Sequence, residues 1–429
     1  MSDPEFSIIK RAIETALSAE VVDQLGRDTG QCQRARVVTP LRLAVALITA
    51  LGVAKVESIA DLNRQFNHQN RTRTRYKAFW CRLARASFPK FMRRVCGRLL
   101  SAFALRTLEP QPGSALSQFE DILIQDGSSF AIRDALAKYW PGRFTKVGPA
   151  AVELHVTYSG LQDEVVAVTL TADKESERPY LPAPEELRGK LLLGDRGLGS
   201  VRYFRDVRQA GGDFVMRLSR SYNPYVQACY VDGRYVELPE GMRLAEFIAQ
   251  HPHCAADLDV GFRRGKRLHQ FRVTVLPNRE RHPTLLCTTL DRQRFPAELV
   301  GQLYRFRWQI ELCFKEWKSY ANLHRFNTGN EHIAEGLIWA SLCAALTKRF
   351  LAHAAQLVGH VPISTRRVAM CARFVLETLA LAILHRPRRL GALLSEALQF
   401  LIGNACRAHP DRDRRKGRLR AGLALVGVA

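Results

Sequence analysis

The chain has 429 residues, is 47% apolar, and carries 64 Lys and Arg against 41 Asp and Glu, a formal net charge of +23. That length suits two to four domains, and the apolar content excludes a disordered chain. The charge points to a polyanionic partner, most simply nucleic acid, with a membrane surface or solubility alone as rival explanations. Ten cysteines stand without a Cys-x-x-Cys pair, which argues against a zinc ribbon or a disulfide scaffold and for a reduced, cytosolic setting. His251, His253 and Cys254 lie close together but lack a partner pair, so no metal site is expected there. The polar start Met1-Ser-Asp-Pro-Glu5 has no signal-peptide pattern. The longest apolar run, Leu43 to Val53, is shorter than the about 20 residues that span a bilayer.

Residues 1–112 read as helical. Pro40 to Leu51 has the pattern of a buried helix, and Ser58 caps another that runs toward Phe66. From Asn63 to Leu108 there is no acidic residue. Arg71, Arg73, Arg75 and Lys77 belong to this basic run, with Tyr76, Phe79, Trp80 and Phe88 interleaved, a pattern that suits contact with DNA as well as a plain solvated face.

After a turn-rich join at 111–114 the texture changes to strands. Asp121 to Asp126 reads as a strand that ends at Asp126 before Gly127-Ser-Ser. Val152 to Tyr158 and Val165 to Leu170 alternate and make a hairpin around Gly160. Leu191-Leu-Leu-Gly-Asp195 is a short apolar strand ending in a second aspartate, and Phe214 to Leu218 is another strand. Each aspartate could instead be an ordinary turn residue, and Asp121 competes with Asp126 for the first place. Residues 219–283 are turn-rich and strand-prone, ending in His269 to Leu276; Leu285 to Leu290 then returns as a strand, and Phe295-Pro296 opens a helix. Ile338 to Leu351 and Val368 to Leu384 read as apolar helices, and the tail from Arg407 to Arg420 is basic.

In the stretch Tyr304 to Lys318, read as one helix, Tyr304, Arg307, Glu311 and Lys318 fall within roughly 60° of one another. Leu299, Leu303, Phe306, Ile310, Phe314 and Trp317 fill a neighbouring core-facing arc. A surface helix with i,i+4 salt links would show the same charges. Yet the spacing Tyr, two residues, Arg, three, Glu, six, Lys, together with Arg307-Trp308 and Ile310-Glu311, resembles the Tyr-Arg-Glu-Lys signature of one branch of the DDE-class bacterial insertion-sequence transposases. That branch is the insertion-sequence-four type, related to the transposase of transposon five. The contexts Asp126-Gly-Ser and Leu193-Gly-Asp195-Arg-Gly resemble its two aspartate motifs.

The resemblance implies an α/β fold: an RNase H-like catalytic core, interrupted by an antiparallel β insertion, with all-helical N-terminal and C-terminal regions. The expected division is a helical DNA-binding region 1–112, core 113–218, β-rich insertion 219–283, core with the Glu helix 284–345, and helical C-terminal region with a basic tail 346–429. Asp126, Asp195 and Glu311 are then the catalytic, metal-binding triad for two Mg²⁺ ions, with Mn²⁺ able to substitute. Tyr304, Arg307, Lys318 and Trp308 would bind a DNA phosphate. The implied function is cut-and-paste transposition: metal-dependent cleavage of double-stranded DNA at the element's ends, through a hairpin, and transfer to a target. A homodimer in the synaptic complex, no membrane partner and a bacterial cytoplasmic, nucleoid-associated location go with it. One departure concerns the hairpin, for which relatives stack a flipped base on a tryptophan of the insertion: here no Trp lies between Trp140 and Trp308. Two rival readings share the basic segments, a transposase-derived DNA-binding protein without catalysis and an RNase H-like nuclease that cuts without joining.

Overall fold

The computed structural model describes residues 4–408 apart from 35, 54, 111, 145, 279–281 and 324–325. The chain opens with helices α1 (Pro4–Leu17), α2 (Ala19–Asp28), α3 (Pro40–Val53), α4 (Ile59–Asn70), α5 (Tyr76–Leu83) and α6 (Ser87–Ala102). Pro40 starts α3 where its missing N–H costs nothing, and every residue of α3 except Arg42 and Val53 is buried. Ser58 caps α4 in a box with Asp61, each side chain taking the other's backbone N–H. In α6, Phe88, Phe91, Met92, Val95 and Leu99 recur at helical spacing and form its buried stripe.

The middle of the chain gives β1 (Ile122–Ala131), β2 (Ala151–Ser159), β3 (Glu164–Ala172), β4 (Leu191–Gly194), α7 (Val201–Gln209) and β5 (Asp213–Arg217). It continues with β6 (Tyr225–Val231), β7 (Arg234–Val236), α8 (Leu244–Gln250), β8 (Ala256–Arg264), β9 (Arg267–Leu276) and β10 (Thr284–Thr288). Among the described residues these strands form one sheet in the order β3-β2-β1-β4-β5-β10-β9-β8-β6-β7. β1 is antiparallel to β2 and parallel to β4, and β4 is parallel to β5. From β10 to β7 the neighbours are antiparallel. Helix α8 and strand β8 lie in the stretch that the sequence marked only as turn-rich and strand-prone.

The chain then forms α9 (Ala297–Phe306), α10 (Trp308–Tyr320), α11 (Glu331–Gly359), α12 (Thr365–His385) and α13 (Leu390–Asn404). The result is a mixed α/β protein with a large sheet and helical ends. Both ends share one core, because α11 packs against α3 and α6 as well as α12 and α13. That core continues onto one face of the sheet through Ile122, Ile124, Val156, Leu191 and Leu193, covered by Phe306 and Ile310. The opposite face carries a second core in which Phe204 of α7 stacks on Phe214 with ring centroids 4.6 Å apart.

One expectation needs correction here. β1 does not end at Asp126: five more residues follow because their backbone groups pair with β2, from Gly127 opposite His155 to Ala131 opposite Ala151. Phe79 and Phe88 are fully buried packing residues, so of the interleaved aromatics only Tyr76 and Trp80 reach the surface. Among the described residues one helix, α12, is long and apolar enough to cross a bilayer; it packs against α3, α11 and α13. The basic tail beyond Ala408 lies outside the described residues.

Candidate active site

Side-chain parity along the strands builds the site. Asp126 falls on the same face of β1 as Ile122 and Ile124, and Asp195, just past β4, continues the face of Leu191 and Leu193. The parallel register pairs Gln125 with Gly194, so the two aspartates are the next residues along neighbouring strands. Over that face lie α9 and α10, whose apolar stripe of Leu303, Phe306, Ile310, Phe314 and Trp317 is buried.

The stretch from Tyr304 to Lys318 is not one continuous helix. It breaks at Arg307, which caps the end of α9 and the start of α10. The cause is local: the Arg307 N–H bonds the Tyr304 carbonyl and the Ile310 N–H bonds the Arg307 carbonyl, both three residues back, which tightens the turn. Arg307 keeps right-handed helical angles, so its neighbours on the polar face stay together.

The side chains then meet. Arg307 Nη1 donates to Asp126 Oδ2 at 2.8 Å, and Nη2 donates to Glu311 Oε1 at 2.5 Å. The Tyr304 hydroxyl donates to Asp195 Oδ1 at 3.0 Å. Lys318 Nζ sits further along the groove and donates to the Ser129 carbonyl at 2.9 Å. Trp308 points away, 46% exposed, with Lys315 Nζ 5.0 Å from its ring centre. Arg71, Arg73, Arg75 and Lys77 are all exposed, on the link between α4 and α5 and the first turn of α5.

The two aspartates differ electrostatically. Burial pushes Asp126 up to about 6, against the pull of the Arg307 guanidinium and the Gly127 N–H. Burial also works to raise Asp195, but the Arg196 N–H, Arg307, Tyr304 and Arg217 outweigh it and hold this carboxylate below its ordinary range. Burial, with the nearby Asp195 charge, keeps the Tyr304 phenol protonated and raised. Burial lowers the Lys318 ammonium. Arg217, at 3.6 Å from Asp195 Oδ1, is a site residue that sequence reasoning missed. Its signal was parity, since Arg217 falls on the same face of β5 as Val215, two residues before it.

Three carboxylates from two strands and a helix are hard oxygen donors suited to a divalent cation. Among the described residues no three His, Cys, Asp or Glu side chains are gathered tightly enough to cage an ion. The reason is visible: Arg307 stands between Asp126 and Glu311. The positive charge already held there fits the donor set to a cation.

The chain is similar to known proteins. The Transposase DDE domain family matches residues 117–347. The transposase for insertion sequence element IS231F of Bacillus thuringiensis subsp. israelensis is 22% identical over 267 residues, 53% of this chain and 56% of that protein. The IS231C transposase of Bacillus thuringiensis subsp. berliner is 21% identical over 278 residues, 54% of this chain and 56% of that protein. The putative transposase InsL for IS186A of Escherichia coli (strain K12) is 43% identical over 61 residues, 14% of this chain and 16% of that protein. The chain thus spans about half the length of these two Bacillus thuringiensis relatives. A solved piggyBac transposase synaptic complex with hairpin DNA has a chain 11% identical to this one, with TM-score 0.45, covering 95% of this chain and 87% of that one. The family match takes in more than half of the chain and spans Asp126, Asp195 and Glu311; the chain belongs to the DDE transposase domain family.

Proposed function

We propose that this chain is a DNA transposase of the Tyr-Arg-Glu-Lys branch, which binds the ends of a mobile element as a homodimer, cuts them, and joins them to a target. The observation that carries this reading is the convergence of Asp126, Asp195 and Glu311 with Tyr304 and Arg307 in one partly buried groove. The order β3-β2-β1-β4-β5, antiparallel on one side of β1 and parallel on the other, supports an RNase H-like core interrupted by the 219–283 insertion. On this reading the division is 1–112, 113–218, 219–283, 284–345 and 346–429, and the setting is the bacterial cytoplasm and nucleoid.

Asp126, Asp195 and Glu311 would hold two Mg²⁺ ions, or Mn²⁺ in their place. Bound there, the metal supplies Lewis acidity for the attacking oxygen and the leaving oxygen of the phosphodiester. The chain's own residues orient and charge the groove. Tyr304 and Arg217 keep Asp195 ionised and aimed, through a hydrogen bond and an ion pair. Arg307 offers a planar fork and Lys318 a point charge to a DNA phosphate, with the exposed face of Trp308 beside them. The exposed Arg71, Arg73, Arg75 and Lys77 would track the duplex backbone. A hairpin intermediate would need one of the insertion's tyrosines or Trp308 as its stacking surface.

The test is a supercoiled plasmid carrying the coding region with its native flanks, incubated with Mg²⁺ and the purified chain. Wild type should give excised and joined products, and Glu311→Ala should lose both by at least about a hundredfold. Tight binding with no cutting by the wild type would instead mark a non-catalytic descendant, and cutting with no joined product would mark a nuclease.

A further inference from the structure

Arg307 holds the carboxylate oxygens that face one another across the groove. Its two terminal nitrogens reach Asp126 Oδ2 at 2.8 Å and Glu311 Oε1 at 2.5 Å, and the side chain is only 12% exposed. Its third donor, Nε, is buried and meets no hydrogen-bond acceptor. A guanidinium satisfied on only two of its three sides is held by charge rather than by a completed shell of acceptors. It also sits at the break between α9 and α10, where its backbone is tied by three-residue turns and not by the continuous ladder of a helix.

Resting on the reading that Asp126, Asp195 and Glu311 hold the divalent metal, we propose that Arg307 is a resident counter-cation that competes with the metal for Asp126 and Glu311, and that a DNA phosphate tightens metal binding by drawing the guanidinium away. The same oxygens cannot face both a guanidinium at hydrogen-bond distance and a divalent ion. A phosphate offers Arg307 what its present partners do not: acceptors for Nε and a terminal nitrogen together, in the paired geometry that phosphates favour. Lys318 further along the groove and Arg217 beside Asp195 add positive charge around that position. Metal and DNA phosphate then each favour the state in which Arg307 has left the carboxylates. Their binding is coupled, and the coupling is reciprocal. The groove loads its metal when a DNA end is present, which limits stray hydrolysis by a protein waiting without substrate.

The experiment is Mn²⁺ titration of the full chain followed by electron paramagnetic resonance, for wild type and Arg307→Ala, with and without a 5′-phosphorylated duplex oligonucleotide. Without DNA the variant should bind Mn²⁺ at least about fivefold more tightly than wild type, within the range usual for coupled sites. The duplex should tighten Mn²⁺ binding to wild type but not to the variant, a difference that cancels metal bound by the duplex itself. If Arg307→Ala does not fold by circular dichroism, Arg307→Gln, which keeps the stem as far as Cδ and loses the charge, carries the same comparison. Equal or weaker Mn²⁺ binding by a folded variant overturns the competition. Asp126→Asn and Asp195→Asn serve as controls: Mn²⁺ binding that survives undiminished in both overturns the metal reading itself.

Discussion

Glu153 lies on β2, opposite Ser129 of the neighbouring strand that carries Asp126, so close that a Cβ on Gly127 would come within 2.6 Å of its Oε1. Burial and the neighbouring Glu177 carboxylate push Glu153 up to about 7, against the Arg143 guanidinium. Because its folded value lies above the ordinary 4.5, the folded state binds this proton more tightly than the unfolded chain does. Stability from Glu153 is therefore fully present below pH 4.5 and is lost as the pH rises through about 7. Glu153→Gln should remove that loss. Denaturant unfolding at pH 5 and pH 8 should show wild type losing on the order of 2 kcal/mol more than the variant. Parallel losses in the two proteins would show that Glu153 carries no such proton. A side chain at position 127 would press on the free end of this carboxyl, which would have to shift to make room.

At the scale of the elements, the contact between the β2–β3 turn and the end of α9 sets where Arg307 lies. A Cβ on Gly160 would fall 2.3 Å from Phe306 Cε1 and 3.0 Å from the Ile122 carbonyl, and the Phe306 ring is buried with no room to retreat. Gly160→Ala should cost about 1–3 kcal/mol by overpacking, read from the shift in denaturant midpoint. An unshifted midpoint would mean that α9 slides freely on the sheet. The two short apolar runs that lead to Asp126 and Asp195 were legible in the sequence as strands, and the stripe of Leu303, Phe306, Ile310, Phe314 and Trp317 made the helix face legible; the pairing that puts both aspartates on one face was not. The break at Arg307 was not, because i→i−3 bonding leaves the apolar spacing almost unchanged. The extension of β1 past Asp126 was hidden as well: Gly127-Ser-Ser reads as a turn until β2 supplies its pairing. Likewise, no local pattern separates the buried Phe79 and Phe88 from the exposed Tyr76 and Trp80.

At the scale of the whole molecule, charge is concentrated where the chain turns between α4 and α5. Arg71 ends α4 in left-handed backbone, at φ 52°, and Arg73 and Arg75 follow it at the surface. If these groups track phosphates, replacing all three by Ala should flatten the slope of log K against log salt for duplex DNA by up to about 3 units. A slope that stays the same would take this turn out of the interface. The turn is anchored by α4, which packs on α3, and α3 is in turn covered by α11 and α12. That cover is encoded some three hundred residues further on. At a translation rate of roughly 5–20 residues per second, α3 stands on the ribosome without it for on the order of half a minute. During that interval its apolar surface is a target for chaperones, and the basic turn rests on a scaffold that is not yet assembled. If this turn contacts DNA, that contact waits for a finished chain, and a ribosome that stalls before α11 releases a fragment without it.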